Sequence, residues 1–154
     1  MTYEDKAEIH YNGEDIELRH YAAGHTDTDT MVYFPKANVL HMGDHFFVDR
    51  FPFIDEPNGG NVSSYMKNVQ SIIDNTPDDV TIIPGHGPLA TKDDLKRFLK
   101  LVKESTDYIQ EQIDAGKDKK AIQEAGLPSK WDEAGTGFIN TTRWIHIVYD
   151  SFTR

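Results

Sequence analysis

Residues 21–44 read YAAGHTDTDTMVYFPKANVLHMGD, and residues 81–87 read TIIPGHG. In each stretch a histidine or an aspartate comes just after a short apolar run, where a strand is expected to end. Side chains at strand ends are held rigidly enough to bind a metal ion. Imidazole nitrogens and carboxylate oxygens are ligands that zinc and similar divalent ions accept. The pattern therefore predicts a metal site made of His25, Asp44 and His86.

The segment before this stretch predicts a β-hairpin. Alternating runs at 6–11 and 14–22 flank an Asn-Gly pair at 12–13, and such a pair is a strong hairpin signal because both central residues of the turn need positive φ. The alternation places Ile16 and Leu18 on the same face of a half-buried antiparallel sheet.

Beyond residues 23–30, which are too polar to continue a strand, two apolar runs predict a second hairpin that ends at Asp44. Residues 45–60 contain a cluster of phenylalanines broken by prolines and glycines, which predicts a long loop. This loop forms either a wall of the site or a cap on the core. The remaining elements are predicted as helices of about 61–75, 91–115, 118–125 and from 140 onward, with a strand inside 78–87. Strands first, then alternating strand and helix, predict an α/β or α+β domain whose mixed sheet is covered by amphipathic helices.

Length and composition limit the function classes. At 154 residues the chain is predicted to be one domain, 1–154. A formal charge of −10 argues against nucleic acid and anionic membranes as partners. There is no cysteine, so a metal site must use His, Asp or Glu. Without a signal sequence or a long apolar segment, the chain as written is expected to be soluble and cytoplasmic.

Each candidate ligand also has a structural interpretation. His25 could be a surface histidine in a polar turn, and Asp44 could cap a helix or a turn. As a metal ligand, His25 is expected to be oriented through its second ring nitrogen by the flanking Asp and Thr groups. His86 has the stronger functional signal, because the surrounding prolines and glycines fix its backbone. His45 could reach a substrate. The other histidines are interpreted as structural or as facing away from the site: His10, His20, His41 and His146.

Three segments, GHTDTDTMVYFP, VLHMGD and VTIIPGHGPLA, together resemble the later metal-binding motifs of the metallo-β-lactamase-fold hydrolases. The resemblance covers most of the chain. It implies an αββα sandwich and metal-assisted hydrolysis, typically with zinc. Carried over by position, His25 matches a histidine ligand of the first metal, Asp44 the carboxylate that bridges both metals, and His86 a histidine ligand of the second.

The chain departs from that family in one respect. The upstream His-x-His-x-Asp-His motif is absent, and the seven histidines include no His-x-His pair. Four expected ligands are therefore missing, together with the aspartate that would orient the nucleophile. The chain resembles the C-terminal portion of such a protein. It is expected to be either a truncated form or a natural half-length relative that finds its missing surface in another chain.

Two functions follow as expectations. The first is a truncated metal-dependent hydrolase that is not competent alone as a monomer, with zinc or another divalent metal weakly bound or absent. The second is a non-enzymatic domain with vestigial ligands that acts as a binding or assembly module. In both cases an unpaired sheet face is expected to produce a homodimer. The sequence assigns no catalytic residue beyond the ligands and no particular small-molecule substrate.

Overall fold

The computed structural model describes residues 2–153. Five strands form one sheet in the order of the sequence, antiparallel except for the last pair, which is parallel. The predicted mixed sheet is therefore confirmed. The strands are β1 (Lys6–Tyr11), β2 (Glu14–His20), β3 (Thr30–Phe34), β4 (Val39–Phe47) and β5 (Thr81–His86).

All four predicted helices are present: α1 (Val62–Asp74), α2 (Lys92–Asp114), α3 (Lys119–Ala125) and α4 (Thr141–Thr153). Their N-termini begin where the sequence predicts caps. The Asn61 side chain accepts a hydrogen bond from the Ser64 amide at 2.9 Å, and Asp118 accepts one from the Ala121 amide at 2.8 Å. Such bonds satisfy amides that have no partner inside the helix.

Strand β4 is longer than predicted. It runs through His45, Phe46 and Phe47, which the sequence assigned to the following loop. Its pairing with β5 shifts register between His41 and Gly43 and again between Gly43 and Phe47. These irregularities break the alternation by which a strand is recognised in sequence, so the extension carries no periodic signal.

The phenylalanines of the predicted loop divide between the core and the surface. Phe46, Phe47 and Phe51 are buried, whereas Phe53 is half-buried beside the candidate site. Both interpretations of this segment therefore apply, to different residues. Phe51 stacks on Trp144 of α4, with 5.4 Å between ring centroids, and so fastens the segment to the helical layer.

One face of the sheet carries the core. Met31, Leu40, Met42 and Ile82 are buried there and belong to a single apolar cluster with α1, α2 and α4. Each CH₂ buried in such a cluster contributes about 0.8 kcal/mol, so this face accounts for much of the stability.

The opposite face, here called the uncovered sheet face, carries apolar residues together with His20, Thr30, His41 and Thr81. The strand register places residues of all five strands side by side on this face. Leu18 of β2 pairs with Ala7 of β1 and with Val32 of β3. Val32 pairs with His41 of β4, and His41 pairs with Ile83 of β5. None of its apolar residues belongs to the core cluster. The predicted alternation in β2 is confirmed, but Ile16 and Leu18 lie on this face and not in the core. Its apolar residues are Ala7, Ile9, Ile16, Leu18, Val32, Phe34, Val39 and Ile83.

Within residues 2–153, no helix combines the length and the apolar character needed to cross a membrane.

Candidate metal centre

The structure brings the three predicted ligands together, with Asp44 between the two histidines. Nε2 of His25 lies 3.3 Å from Oδ2 of Asp44, and Nε2 of His86 lies 3.3 Å from Oδ1. The side chains are 16%, 34% and 58% exposed for His25, Asp44 and His86, respectively. The group is therefore open to solvent on the His86 side and enclosed on the His25 side.

Neighbouring strands explain why residues so far apart in sequence meet. Asp44 lies in β4 and His86 ends β5, and these two strands run parallel side by side. His25 lies in the loop that joins β2 to β3, the next strand along the sheet. The chemistry is thus built at the edge where β4 and β5 end.

Gly85 allows β5 to approach Asp44 this closely. A Cβ at residue 85 would lie 2.4 Å from Oδ1 of Asp44 and 2.5 Å from the carbonyl oxygen of Gly43. Real Cβ atoms do not approach other atoms so closely, so a side chain here would displace the carboxylate or the strand. The glycine before His86 is therefore part of the site.

A backbone hydrogen bond orients His25. Its Nδ1 lies 2.8 Å from the carbonyl oxygen of Phe53. A carbonyl oxygen only accepts, so Nδ1 carries the hydrogen and Nε2 of the neutral ring has a free lone pair. That lone pair faces the Asp44 carboxylate, an arrangement that needs a cation, either a proton or a metal ion, between the two atoms. Metal-bound histidines are commonly fixed through their other nitrogen in this way.

The hydrogen-bonding role expected of the flanking Asp and Thr residues differs in the structure. Asp29 does not bind the His25 ring. Its carboxylate accepts hydrogen bonds from the Thr26 amide at 2.9 Å and the Thr26 hydroxyl at 2.8 Å. These bonds shape the loop that carries His25, while the Phe53 carbonyl orients the imidazole. A backbone acceptor from 28 residues away leaves no mark in a local sequence pattern.

The spacing of the facing atoms fits a divalent cation. Two ligands on a tetrahedral zinc ion with bonds of about 2.0 Å are about 3.3 Å apart. Both histidine-to-carboxylate distances have this value. The donor set, two imidazole nitrogens and a carboxylate, is also of the kind that zinc binds.

The two histidines use different oxygens of Asp44. They do not converge on one point. Among the described residues, no group of three side chains with ligand atoms all within 4.8 Å of one another contains these histidines. The arrangement is therefore two half-sites, each with one imidazole and one carboxylate oxygen, that share Asp44.

One segment of chain, residues 47–55, contacts both histidines and is here called the rim loop. At its start, the Phe47 ring stacks on His86 with 4.5 Å between centroids, and the Val48 amide donates to the His86 carbonyl oxygen at 2.9 Å. At its end, the Asp55 amide donates to the His25 carbonyl oxygen at 2.8 Å. The rim loop thus fixes the spacing between the two half-sites.

The structure contradicts the interpretation that His45 could reach a substrate. Its side chain is 1% exposed and stacks on Tyr65, with ring centroids 5.5 Å apart. Burial lowers the pKa of His45 to about 4, although Asp29 opposes the shift, so the ring is neutral at neutral pH. Gly24 leaves room for it, because a Cβ there would lie 2.4 Å from its Nε2. His45 supports the loop of His25 from beneath.

A second group of potential ligands lies on the exposed β1–β2 hairpin. Glu8, His10 and Asp15 offer ligand atoms within 4.8 Å of one another. His10 Nδ1 is hydrogen-bonded to Asp15 at 2.8 Å, and both side chains are more than half exposed. Exposed groups of this kind are common without a metal, and nothing else in the hairpin points to a ligand.

Comparison with known families gives one match, over residues 4–86, to the family described as the metallo-beta-lactamase superfamily. The matched range includes all three candidate ligands. Proteins of this superfamily usually bind divalent metals. Comparison with curated proteins gives no match.

Solved structures with a similar fold include a sec-alkyl sulfatase double mutant, at a TM-score of 0.76 and 12% identity, which aligns with 99% of this chain and 26% of its own. The stereoselective inverting sec-alkylsulfatase from Pseudomonas sp. gives a TM-score of 0.70 and 13% identity, with 99% and 26% coverage. A metallo-beta-lactamase from Pontibacter korlensis gives a TM-score of 0.56 and 20% sequence identity. Its alignment covers 66% of this chain and 47% of that protein. At these identities the likeness shows the fold alone. The chain spans between about a quarter and a half of the length of these proteins.

Proposed function

Because the chain belongs to the metallo-beta-lactamase superfamily, we propose that it serves metal-dependent hydrolysis, with zinc or another divalent cation held between His25 and Asp44 and between His86 and Asp44. The observation that most supports this proposal is the placement of two imidazole nitrogens, each 3.3 Å from a different oxygen of the same carboxylate. We propose that its substrate is a small molecule.

Each residue has a distinct role in this proposal. His25 and His86 each supply one nitrogen, and Asp44 supplies one oxygen to each side. The Phe53 carbonyl keeps Nε2 of His25 aimed at the carboxylate, and the stacked Phe47 ring limits rotation of His86. A divalent cation bound there would polarise a substrate carbonyl and lower the pKa of a bound water.

The remaining ligands come from outside these 154 residues. Each half-site has two protein ligands here, whereas a catalytic zinc ion usually has three. We therefore propose that the missing ligands belong to a preceding part of a longer chain or to another chain. The 154 residues alone then bind metal weakly and do not turn over substrate as a monomer.

Zinc content after equilibrium dialysis, together with hydrolysis of generic ester, lactam and thioester substrates, tests this. The wild type is expected to retain zinc and to show no turnover above that of Asp44→Asn, which loses the zinc. Equal zinc retention by the two proteins would contradict the metal site. Turnover by the wild type at a concentration where it is monomeric, abolished by Asp44→Asn, would contradict the proposed need for further ligands.

The uncovered sheet face favours a second candidate function, that of an assembly module. We propose that two copies of the chain pack through this face as a two-fold homodimer. Four inter-strand spacings of about 4.8 Å make the face about 19 Å wide. The apolar residues of this face, which His41 and Thr81 interrupt, lie outside the core cluster and would lose solvent contact in such a dimer. A two-fold axis would set the apolar strands of one copy against the same strands of the other, as an isologous interface requires.

Light scattering tests the homodimer. The wild type is expected to be a dimer at micromolar concentration and Leu18→Lys a monomer, because a charge at the centre of the face would be buried unpaired. Gln70→Lys adds the same charge on the exposed side of α1 and should remain a dimer. A monomeric wild type would contradict this proposal and would leave the face to a different partner or to a preceding part of the chain.

A further inference from the structure

Three side chains beside the metal centre form what is here called the arginine–phenylalanine patch: Phe53, Phe138 and Arg143. We propose that this patch is the substrate-recognition surface of the metal centre, and that it binds a substrate carrying an oxyanion next to an apolar group. This inference rests on the proposed hydrolytic function, which it deepens by naming the class of substrate.

The geometry of the patch is that of a stacked cation on an aromatic corner. The Arg143 guanidinium carbon lies 4.5 Å from the centre of the Phe138 ring and 5.1 Å from that of Phe53. The two rings meet edge to face at 6.2 Å. Stacking on aromatic faces holds a guanidinium in place while its N–H groups stay free to donate.

The patch is in direct contact with the site. The Phe53 ring lies 5.5 Å from the His25 ring, edge to face, and the Phe53 carbonyl accepts the hydrogen bond from His25 Nδ1. A single aromatic residue therefore separates Arg143 from His25. A small molecule bound on the patch would therefore lie close to the His25 side of the metal centre.

The lack of an ion pair distinguishes Arg143 of the patch, and also Arg50, from Arg19 and Arg97. Arg19 pairs with Glu17, and Arg97 pairs with Asp49 and Asp94. Over residues 2–153, neither Arg50 nor Arg143 forms an ion pair, and the Arg50 side chain donates only to the Thr136 hydroxyl, at 3.1 Å. In a chain of net charge −10, carboxylates are abundant, so two arginines without one are unusual.

The apolar part of the patch is also exposed. Phe138 is 76% exposed, the largest fraction of any phenylalanine described. Of the aromatic and cationic groups in the described residues, only Arg143 and Phe53 contact its ring. An exposed ring beside a free guanidinium matches a ligand that is apolar at one end and anionic at the other. A neutral ligand would leave the guanidinium unused, and an inorganic anion would leave the ring unused.

Binding of phenylacetate to the metal-free full chain, followed by NMR in the presence of a chelator, tests the proposal. Phenylacetate combines a ring with a carboxylate, phenylacetamide is its neutral counterpart, and acetate lacks the ring. Saturable shifts of the Phe53, Phe138 and Arg143 amides are expected with phenylacetate. Phenylacetamide and acetate should each bind roughly tenfold more weakly, the loss expected for a charge-assisted hydrogen bond or a buried ring.

Variants assign the effect to the patch. Arg143→Gln should weaken phenylacetate roughly tenfold while leaving phenylacetamide unchanged, and Phe138→Ala should weaken both. Arg97→Gln, which removes an arginine that is already ion-paired, should change neither. No saturable shift at these three amides, equal affinity for phenylacetate and phenylacetamide, or an equal effect of Arg97→Gln would overturn the proposal. Since no metal is present, such a failure would not bear on the metal site.

Discussion

Asp44 is the residue that joins the two half-sites, because each histidine faces one of its oxygens. Its position depends on a neighbour without a side chain. Gly85 lies so close that any Cβ would meet Oδ1 of Asp44 at 2.4 Å. At the scale of single residues, the site is therefore determined as much by close backbone approach as by the ligands themselves.

Gly85→Ala is expected to weaken zinc binding without changing any ligand, because the new methyl group must displace the Asp44 carboxylate. Zinc titration of the variant measures the effect. Gly137→Ala is the matched control, since the atoms nearest its new Cβ belong to the flexible Arg50 side chain, 3.0 Å away. Unchanged affinity in Gly85→Ala would mean that the carboxylate is not held in the position described.

Sequence reasoning could identify the candidate ligands but not what orients them. His86 was marked by prolines and glycines on both sides, and His25 and Asp44 by the ends of apolar runs. The Phe53 carbonyl that orients His25 lies 28 residues further along the chain, and the Tyr65 ring that covers His45 lies 20 residues further. Such contacts arise only when the chain folds, so a local pattern does not carry them.

At the scale of elements, helix α2 shows how far periodicity reaches. Helical spacing predicts an apolar stripe of six residues in this helix, of which Ile113 is half-buried and the other five are buried: Leu95, Phe98, Leu99, Val102 and Ile109. Its start was also predictable, because Thr91 and Asp94 form a capping box. The extension of β4 was not predictable, since its register shifts remove the alternation.

Phe98→Ala should destabilise the chain by about 3–5 kcal/mol, because the ring is 1% exposed and packs against Phe46 and Tyr65. Urea unfolding gives the change in free energy. Lys100→Ala, on the solvent side of the same helix with its side chain 74% exposed, should change it by less than about 0.5 kcal/mol. Similar losses in the two variants would mean that the helix is rotated from the position described.

The cap of α2 predicts a pH dependence. Hydrogen bonds from the Thr91 amide and hydroxyl lower the pKa of Asp94 from its usual 3.8. A lowered folded-state pKa contributes stability that is present above the unfolded value and is lost as the pH falls through the folded value. Asp94→Asn should therefore destabilise the chain at neutral pH, and the difference from wild type should shrink below about pH 3.8.

Urea unfolding at several pH values measures this difference. Thr91→Ala, which removes the other half of the cap, should cost about 1 kcal/mol at neutral pH. Asp107→Asn, on the exposed middle of the same helix, is the control for loss of one negative charge. A difference for Asp94→Asn that is constant down to low pH would show that the carboxylate does not act through its charge.

At the scale of the whole molecule, one layer of helices covers one face of one sheet, while the other face, which carries apolar residues, stays uncovered. This agrees with the length comparison, in which the chain spans about a quarter to a half of similar structures. The layered, mixed-sheet class could be predicted from the order of elements. Which face of β2 joins the core could not, because Ile16 and Leu18 have the same alternation whether they meet helices or a second sheet.

Calorimetric titration with zinc of the wild type, Asp44→Asn, His86→Ala and His10→Ala tests the central claim, that two half-sites share Asp44. The predicted loss of zinc affinity is largest for Asp44→Asn, because Asp44 serves both half-sites, and intermediate for His86→Ala, which removes one of them. No loss is predicted for His10→Ala, because His10 lies in the exposed hairpin group. Equal binding by the wild type and Asp44→Asn, or a larger loss in His10→Ala than in His86→Ala, would contradict it.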